Sequence, residues 1–176
     1  MDKGLILDLC HKHKDILTRE NKVFHMTSSG LILNASRDKI LMVHHNIYRT
    51  WTWTGGHADG DDDLAAIAAR EAVEETGISR VSFLYDQLAT LDIIPVYGHI
   101  KNGAYVSAHL HLNAAYLLQA SEDDKLKVRA DENSGVEWTP MDEVAERSKE
   151  AELIRIFGKM LARIGLDFNE AFLSKL

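Results

Sequence analysis

Residues Thr54–Ile78 read TGGHADGDDDLAAIAAREAVEETGI, and within them a glycine pair, a run of acids and an alanine-rich stretch follow one another. Gly55–Gly56 closes Thr50–Trp51–Thr52–Trp53–Thr54, whose strict alternation has the period of a strand, with both tryptophans on one face and three threonines on the other. From Leu64 to Glu75 almost every residue is a strong helix former. Asp61, Asp62 and Asp63 supply N-cap candidates and acids for the positive end of the helix dipole, and Gly77 is a natural left-handed terminator. A strand, a glycine pair, an acidic turn and a helix in that order make a backbone that a ligand can approach closely.

On this helix Glu71, Glu74 and Glu75 stand at i, i+3 and i+4, so their carboxylates share one face. Like charges at those spacings each cost roughly 0.2–0.5 kcal/mol, and acids in a last turn oppose the macrodipole. Local stability therefore does not select the arrangement. Between Asp59 and Glu75 seven acids meet one basic residue, Arg70, so most of the chain's formal charge of −7 is concentrated there. A solvated acidic face is the ordinary reading of such a cluster. Beside a glycine loop, however, an all-oxygen ligand set suits Mg²⁺ or Mn²⁺, which join protein carboxylates to substrate phosphates. That reading reconciles an acidic chain with an anionic substrate.

The rest of the chain organises around this segment. At 176 residues and 45% hydrophobic content the expectation is one domain, with an N-terminal helical extension over 1–21, a core over 22–147 and a helical tail over 148–176. Lys3 to Asn21 reads as a helix. Val23–Phe24, Gly30 to Leu33 and Lys39 to His44 carry strand signals, and Val81 to Ile100 and Ala104 to Leu118 form a pair around the Asn102–Gly103 step. Ser121 to Ser134 reads as a polar loop before a short strand at Val136 to Trp138. The tail's apolar residues, from Val144 through Leu153, Ile154, Phe157, Met160 and Leu161 to Ile164, have helical spacing, and a last segment runs through Phe168, Phe172 and Leu176. The acidic balance speaks against nucleic acid as a partner, and no stretch has the length and apolarity of a membrane span. Cys10 is the sole cysteine, which excludes an internal disulfide and a Cys-rich metal site; a cytoplasmic chain is the expectation.

The spacing Gly56, five residues, Asp62, seven residues, then Arg70–Glu71–Ala72–Val73–Glu74–Glu75–Thr76–Gly77–Ile78 resembles the Nudix box, G-x5-E-x7-R-E-U-x-E-E-x-G-U. Two positions depart from it: Asp62 stands where the family has Glu, and Thr54 where many members have Pro. The resemblance implies an α+β fold, an α/β/α sandwich with a mixed β-sheet between helices. It implies a pyrophosphohydrolase that uses Mg²⁺, with Mn²⁺ as a substitute, to cleave a diphosphate linkage in a nucleoside diphosphate joined to another group. Carried over by position, Glu71, Glu74, Glu75 and the Gly56 carbonyl would bind metal, one of the glutamates would activate water, and Arg70 would orient a glutamate. A loop acid often joins such sites, and Glu132, just ahead of the Val136–Trp138 strand, is the residue in place for it. Asp61 and Asp63 are available beside the shortened Asp62. The partner is then a small diphosphate substrate, with homodimer formation left open.

Two other functions are compatible with a box of this kind. A silent nucleotide-sensing domain would not need the three intact glutamates. An isoprenoid diphosphate isomerase would need a cysteine, and Cys10 is far from the box in sequence. Nine histidines remain. His109 and His111 fall on one face of a strand with spacing that suits a transition metal, although satisfied side chains are the ordinary reading of them and of His44, His45, His57 and His99. Trp51, Trp53, Tyr97 and Tyr105 are core or nucleobase-stacking candidates.

Overall fold

The computed structural model describes residues 2–167 apart from 87 and 102. Its central strand is β1 (Phe24–Leu33), with nine of its ten residues buried, as befits a strand covered on both faces. β1 pairs in parallel with β9 (His109–Gln119), from Phe24 opposite Leu110 to Leu33 opposite Gln119. All other pairings are antiparallel: β2 (Lys39–His45) and β4 (Thr54–His57) on β1, β3 (Thr50–Thr52) and β10 (Asn133–Pro140) on β2, and β5 (Ser82–Phe83) and β6 (Thr90–Val96) on β9. The eight strands make one mixed sheet. A separate hairpin, β7 (His99–Lys101) with β8 (Ala104–Val106), sets Lys101 opposite Ala104 around Gly103, as the Asn–Gly step predicted.

Side chains alternate across β1, and the two sets meet different helices. Met26 packs with Ile6 of α1 (Asp2–Lys12) and Ile67 of α2 (Leu64–Thr76), and Ile32 with Ala72 of α2. Leu31 and Leu33 join the opposite layer, where α4 (Ala151–Ala162) inserts Leu153, Ile154, Ile156, Phe157, Met160 and Leu161 after the short α3 (Val144–Arg147). The α/β/α arrangement expected from the sequence is thus present, and these six apolar residues of α4 are buried in its main core.

Some local expectations need correction. The N-terminal helix ends at Lys12; the chain then turns so that the Ile16 carbonyl accepts the Met26 amide at 2.8 Å. Thr50–Thr54 is two strands, because the chain changes partner at Trp53 from β2 to β1. Gly55–Gly56 consequently lies within β4 rather than ending a strand. The loop expected over Ser121 to Ser134 gives way to β10 at Asn133. Phe168, Phe172 and Leu176 lie outside the described residues.

Candidate active site

The acids of the 59–63 turn hold the backbone. Arg19 grips Asp59 through two bonds of 2.7 and 2.8 Å, Asp61 accepts the Asp63 amide at 3.0 Å, and Asp63 caps α2 by accepting the Ala66 amide at 3.0 Å. Asp62 is exposed and lies outside the carboxylate cluster described below. At the other end Gly77, with φ of 76°, donates to the Val73 carbonyl and stops the helix as its sequence predicted.

Between these caps Ile67, Ala68 and Ala72 bury the inner face of α2, which brings its glutamates against β4. The approach is close: a Cβ on Gly56 would lie 2.6 Å from Glu71 Oε1, and one on Gly55, facing β1, would lie 2.7 Å from the Ser28 carbonyl. Glu75 is 3% exposed and accepts from the Gly55 amide at 2.8 Å and from Asn133 Nδ2 at 2.7 Å. Burial outweighs these two bonds and, with Glu132 and Glu71 nearby, pushes its carboxyl up to about 7. Glu71, half-buried, is raised by burial and then by Glu74, against the pull of Arg129.

One carboxylate oxygen from each of Glu71, Glu75 and Glu132 lies within 4.8 Å of the others. Glu74 faces solvent beside this trio. Arg70, expected to orient a glutamate, makes its ion pair among the described residues with Asp61 at 3.8 Å and acts on Glu71 through charge alone. Arg129 lies closer to the acids, with Glu74 at 3.1 Å, Glu71 at 3.5 Å, and Asp131 and Glu132 at 3.6 Å. Burial works to lower its guanidinium, but Glu132, Asp131, Glu71 and Glu74 together raise it. Sequence reasoning missed Arg129 and Asn133; their one signal was position, on either side of Glu132 where the loop meets β10.

The glutamates line one part of a cleft of about 1130 Å³. Its floor continues along the polar side of β1, where Thr27 and Ser29 both donate to Asn113 Oδ1, and reaches His25, His57, His109 and His111. Burial first, then the neighbouring His57, His25, His109 and His99 rings, pushes His111 down to about 2; burial likewise lowers His25. Tyr48, Tyr97 and His99 also line the cleft, and Tyr97 is 79% exposed. Trp53 lines the cleft too but is buried against the core, 5.4 Å from the Phe157 ring, and Trp51 packs against His44 with Arg147 over its ring. Cys10 is exposed on α1 and does not line the cleft, which leaves an isomerase no thiol there.

A mixed sheet thus lies between helices, with a carboxylate-bearing helix held under a glycine pair at one cleft. A NUDIX domain model matches residues 24–159, so the chain belongs to the NUDIX family of pyrophosphohydrolases. No curated protein matches the chain. Solved structures share its fold: an Ap4A hydrolase binary complex from C. elegans (17% identity, TM-score 0.59, 79% of this chain and 96% of that one) and the dihydroneopterin triphosphate pyrophosphohydrolase of E. coli (12%, 0.58, 78% and 95%). A third is the NUDIX domain of Shewanella oneidensis NrtR complexed with ADP ribose (14%, 0.58, 90% and 97%). Among the described residues no helix is long and apolar enough to cross a membrane.

Proposed function

We propose that the chain is a Mg²⁺-dependent hydrolase that cleaves a diphosphate linkage in a nucleoside diphosphate joined to another group. The observation that carries this reading is the convergence of Glu71, Glu75 and Glu132 within 4.8 Å at the wall of the cleft. Three hard carboxylates are held together against their mutual repulsion, and such a donor set fits Mg²⁺, with Mn²⁺ as a substitute. In this reading Glu71, Glu75 and Glu132 hold the ion with the Gly56 carbonyl, and Glu74 lies at the solvent side. When bound, Mg²⁺ supplies neutralisation of phosphate charge and acidification of water.

The chain's own residues do the rest. Hydrolysis adds the oxygen of water to one phosphorus and breaks the bridging P–O bond, and the proton released needs an acceptor. Glu71 is the proposed acceptor: it lines the cleft against Gly56, and burial raises its carboxyl above the ordinary carboxylate value, which makes it a stronger base. Arg129 would turn its guanidinium to phosphate oxygens once the carboxylates no longer need it, a charge-assisted contact. Tyr97 offers an exposed ring at the cleft on which a nucleobase would stack.

A screen with Mg²⁺ over canonical and oxidised nucleoside triphosphates, nucleotide sugars, dinucleotides and dinucleoside polyphosphates tests the proposal, with products resolved by chromatography. Metal-dependent release of a nucleoside phosphate is expected. Full turnover in chelator, or no cleavage of any member, would overturn it.

A further inference from the structure

Four histidines that the hydrolase reading does not use are collected from three strands onto one side of the sheet. His25 on β1 stands opposite His111 on β9, and His57 on β4 stands opposite Thr27, two residues further along β1. The ring of His25 has its centroid 4.9 Å from that of His109, 5.1 Å from His57 and 5.3 Å from His111, and the His57 and His111 centroids are 5.0 Å apart. One ring nitrogen from each of His25, His109 and His111 lies within 4.8 Å of the others.

The backbone decides which nitrogens can give a lone pair. His25 Nδ1 lies 3.0 Å from the Asn21 carbonyl, and His109 Nδ1 lies 2.8 Å from the Ser107 carbonyl. A carbonyl only accepts, so each Nδ1 carries a proton, and in the neutral ring the lone pair is then on Nε2. This is the outer bonding that fixes a metal-binding imidazole. His109 Nε2 is then 3.3 Å from His111 Nε2, and two zinc–nitrogen bonds at a tetrahedral angle place their nitrogens roughly 3.3–3.4 Å apart. His25 is 5% exposed, and its Nε2 is buried with no hydrogen-bond partner among the described residues. A buried bare nitrogen ringed by three imidazoles is costly unless something binds it.

We propose that His25, His109 and His111, with His57 beside them, form a binding site for one divalent transition-metal ion, Zn²⁺ first, separate from the glutamate site in the same cleft. Imidazole suits Zn²⁺, Co²⁺ and Ni²⁺ and is a poor partner for Mg²⁺, so the two groups of ligands sort ions by hardness. Burial keeps the rings of His25 and His111 neutral, the form that coordinates. Gly55–Gly56–His57 joins the two groups: the first residue bonds Glu75, the second abuts Glu71, and the third touches the histidines.

The test titrates the chelator-treated full chain with Zn²⁺ by calorimetry in excess Mg²⁺. One equivalent should bind, and it should bind equally in a Glu71→Gln, Glu75→Gln double variant. His109→Ala should weaken Zn²⁺ at least about a hundredfold, since loss of even an outer partner costs roughly 10–100-fold. X-ray absorption on the Zn²⁺-loaded unmodified chain gives a readout that needs no variant: a nitrogen shell with imidazole scattering is expected. An oxygen shell, no binding in excess Mg²⁺, loss of binding in the glutamate variant, or unchanged binding in a folded His109→Ala would each overturn the site. Because the glutamate variant is turnover-deficient by design, these outcomes are independent of the hydrolase reading.

Discussion

The two parts of the cleft are built from opposite materials. One gathers Glu71, Glu75 and Glu132 around Arg129, charged groups pressed together from a helix and a loop; the other gathers His25, His57, His109 and His111 from strands, with neutral rings at His25 and His111. In the first, burial raises carboxyl groups and neighbouring acids add to it; in the second, burial lowers imidazoles. Both shifts favour the uncharged form, which is what desolvation does to either kind of group. The difference teaches that a single cleft can treat acid and base alike electrostatically while offering cations two unlike sets of donors.

The largest effect that separates the two parts is on turnover. Glu75→Gln should lower kcat by at least about a hundredfold in steady-state kinetics, because the residue would lose a negative ligand. The fold should survive: the amide oxygen still accepts from Gly55, and Asn133, whose Oδ1 is buried without a partner, can rotate to accept from the new amide nitrogen. Chemical denaturation without divalent ions should show equal or higher stability than the parent chain. A Glu75→Gln enzyme with near-normal Mg²⁺-dependent rates would remove the glutamates' claim to the chemistry.

Stability against pH breaks the comparison in a second way. Glu75 titrates higher folded than unfolded, so the folded state holds the extra proton and stability declines as pH rises from about 4.5 to about 7. The size is on the order of 3 kcal/mol. His111 titrates lower folded than unfolded, so its contribution has the opposite sign: stability is lost as pH falls below about 6.5 toward 2. The slopes oppose each other between about pH 4.5 and 6.5. Urea titrations in chelator should therefore show a shallow profile there, and Glu75→Gln should expose a steeper rise with pH. Identical profiles for parent and variant would contradict the raised carboxyl.

Smaller effects sharpen the division within the acids themselves. Asp63→Ala should cost about 1 kcal/mol of stability by removing the cap on Ala66, with kcat little changed. Asp62→Ala should leave stability and kcat/KM within about twofold, since the residue is exposed and apart from the carboxylate trio. A large loss from Asp62→Ala would restore the family acid's role to the shorter side chain. At Tyr97, replacement by Ala should raise KM a few-fold without moving kcat, through a stacking loss of about 1 kcal/mol. An unaltered KM would place the nucleobase elsewhere.

How far each part could be read in advance follows from how it is assembled. The helix glutamates are neighbours in sequence at helical spacing, and Asp63 and Gly77 mark their helix, so local rules sufficed for them. Glu132 was reachable by its place before a strand. Arg129 defeated the same reasoning because its partners on α2 lie about 55 residues away in sequence. The histidines are harder still. His109 and His111 share a strand and were recognisable as a pair, but His25 joins them through a parallel pairing across 86 positions, and no local pattern announces that register. The break at Trp53 was hidden for a related reason: alternation persists through Thr50–Thr54 while the partner strand changes.

Arg129 has a bearing on how the protein is made. A newly synthesised chain must close three carboxylates together before any ion has been captured, and a guanidinium within 3.6 Å of Glu71, Glu74, Asp131 and Glu132 acts as a built-in counterion for that moment. In the proposed reading, the site then closes without waiting for magnesium. Arg129 would compete with the ion for the same carboxylates, and its replacement would exchange easy assembly for tighter metal.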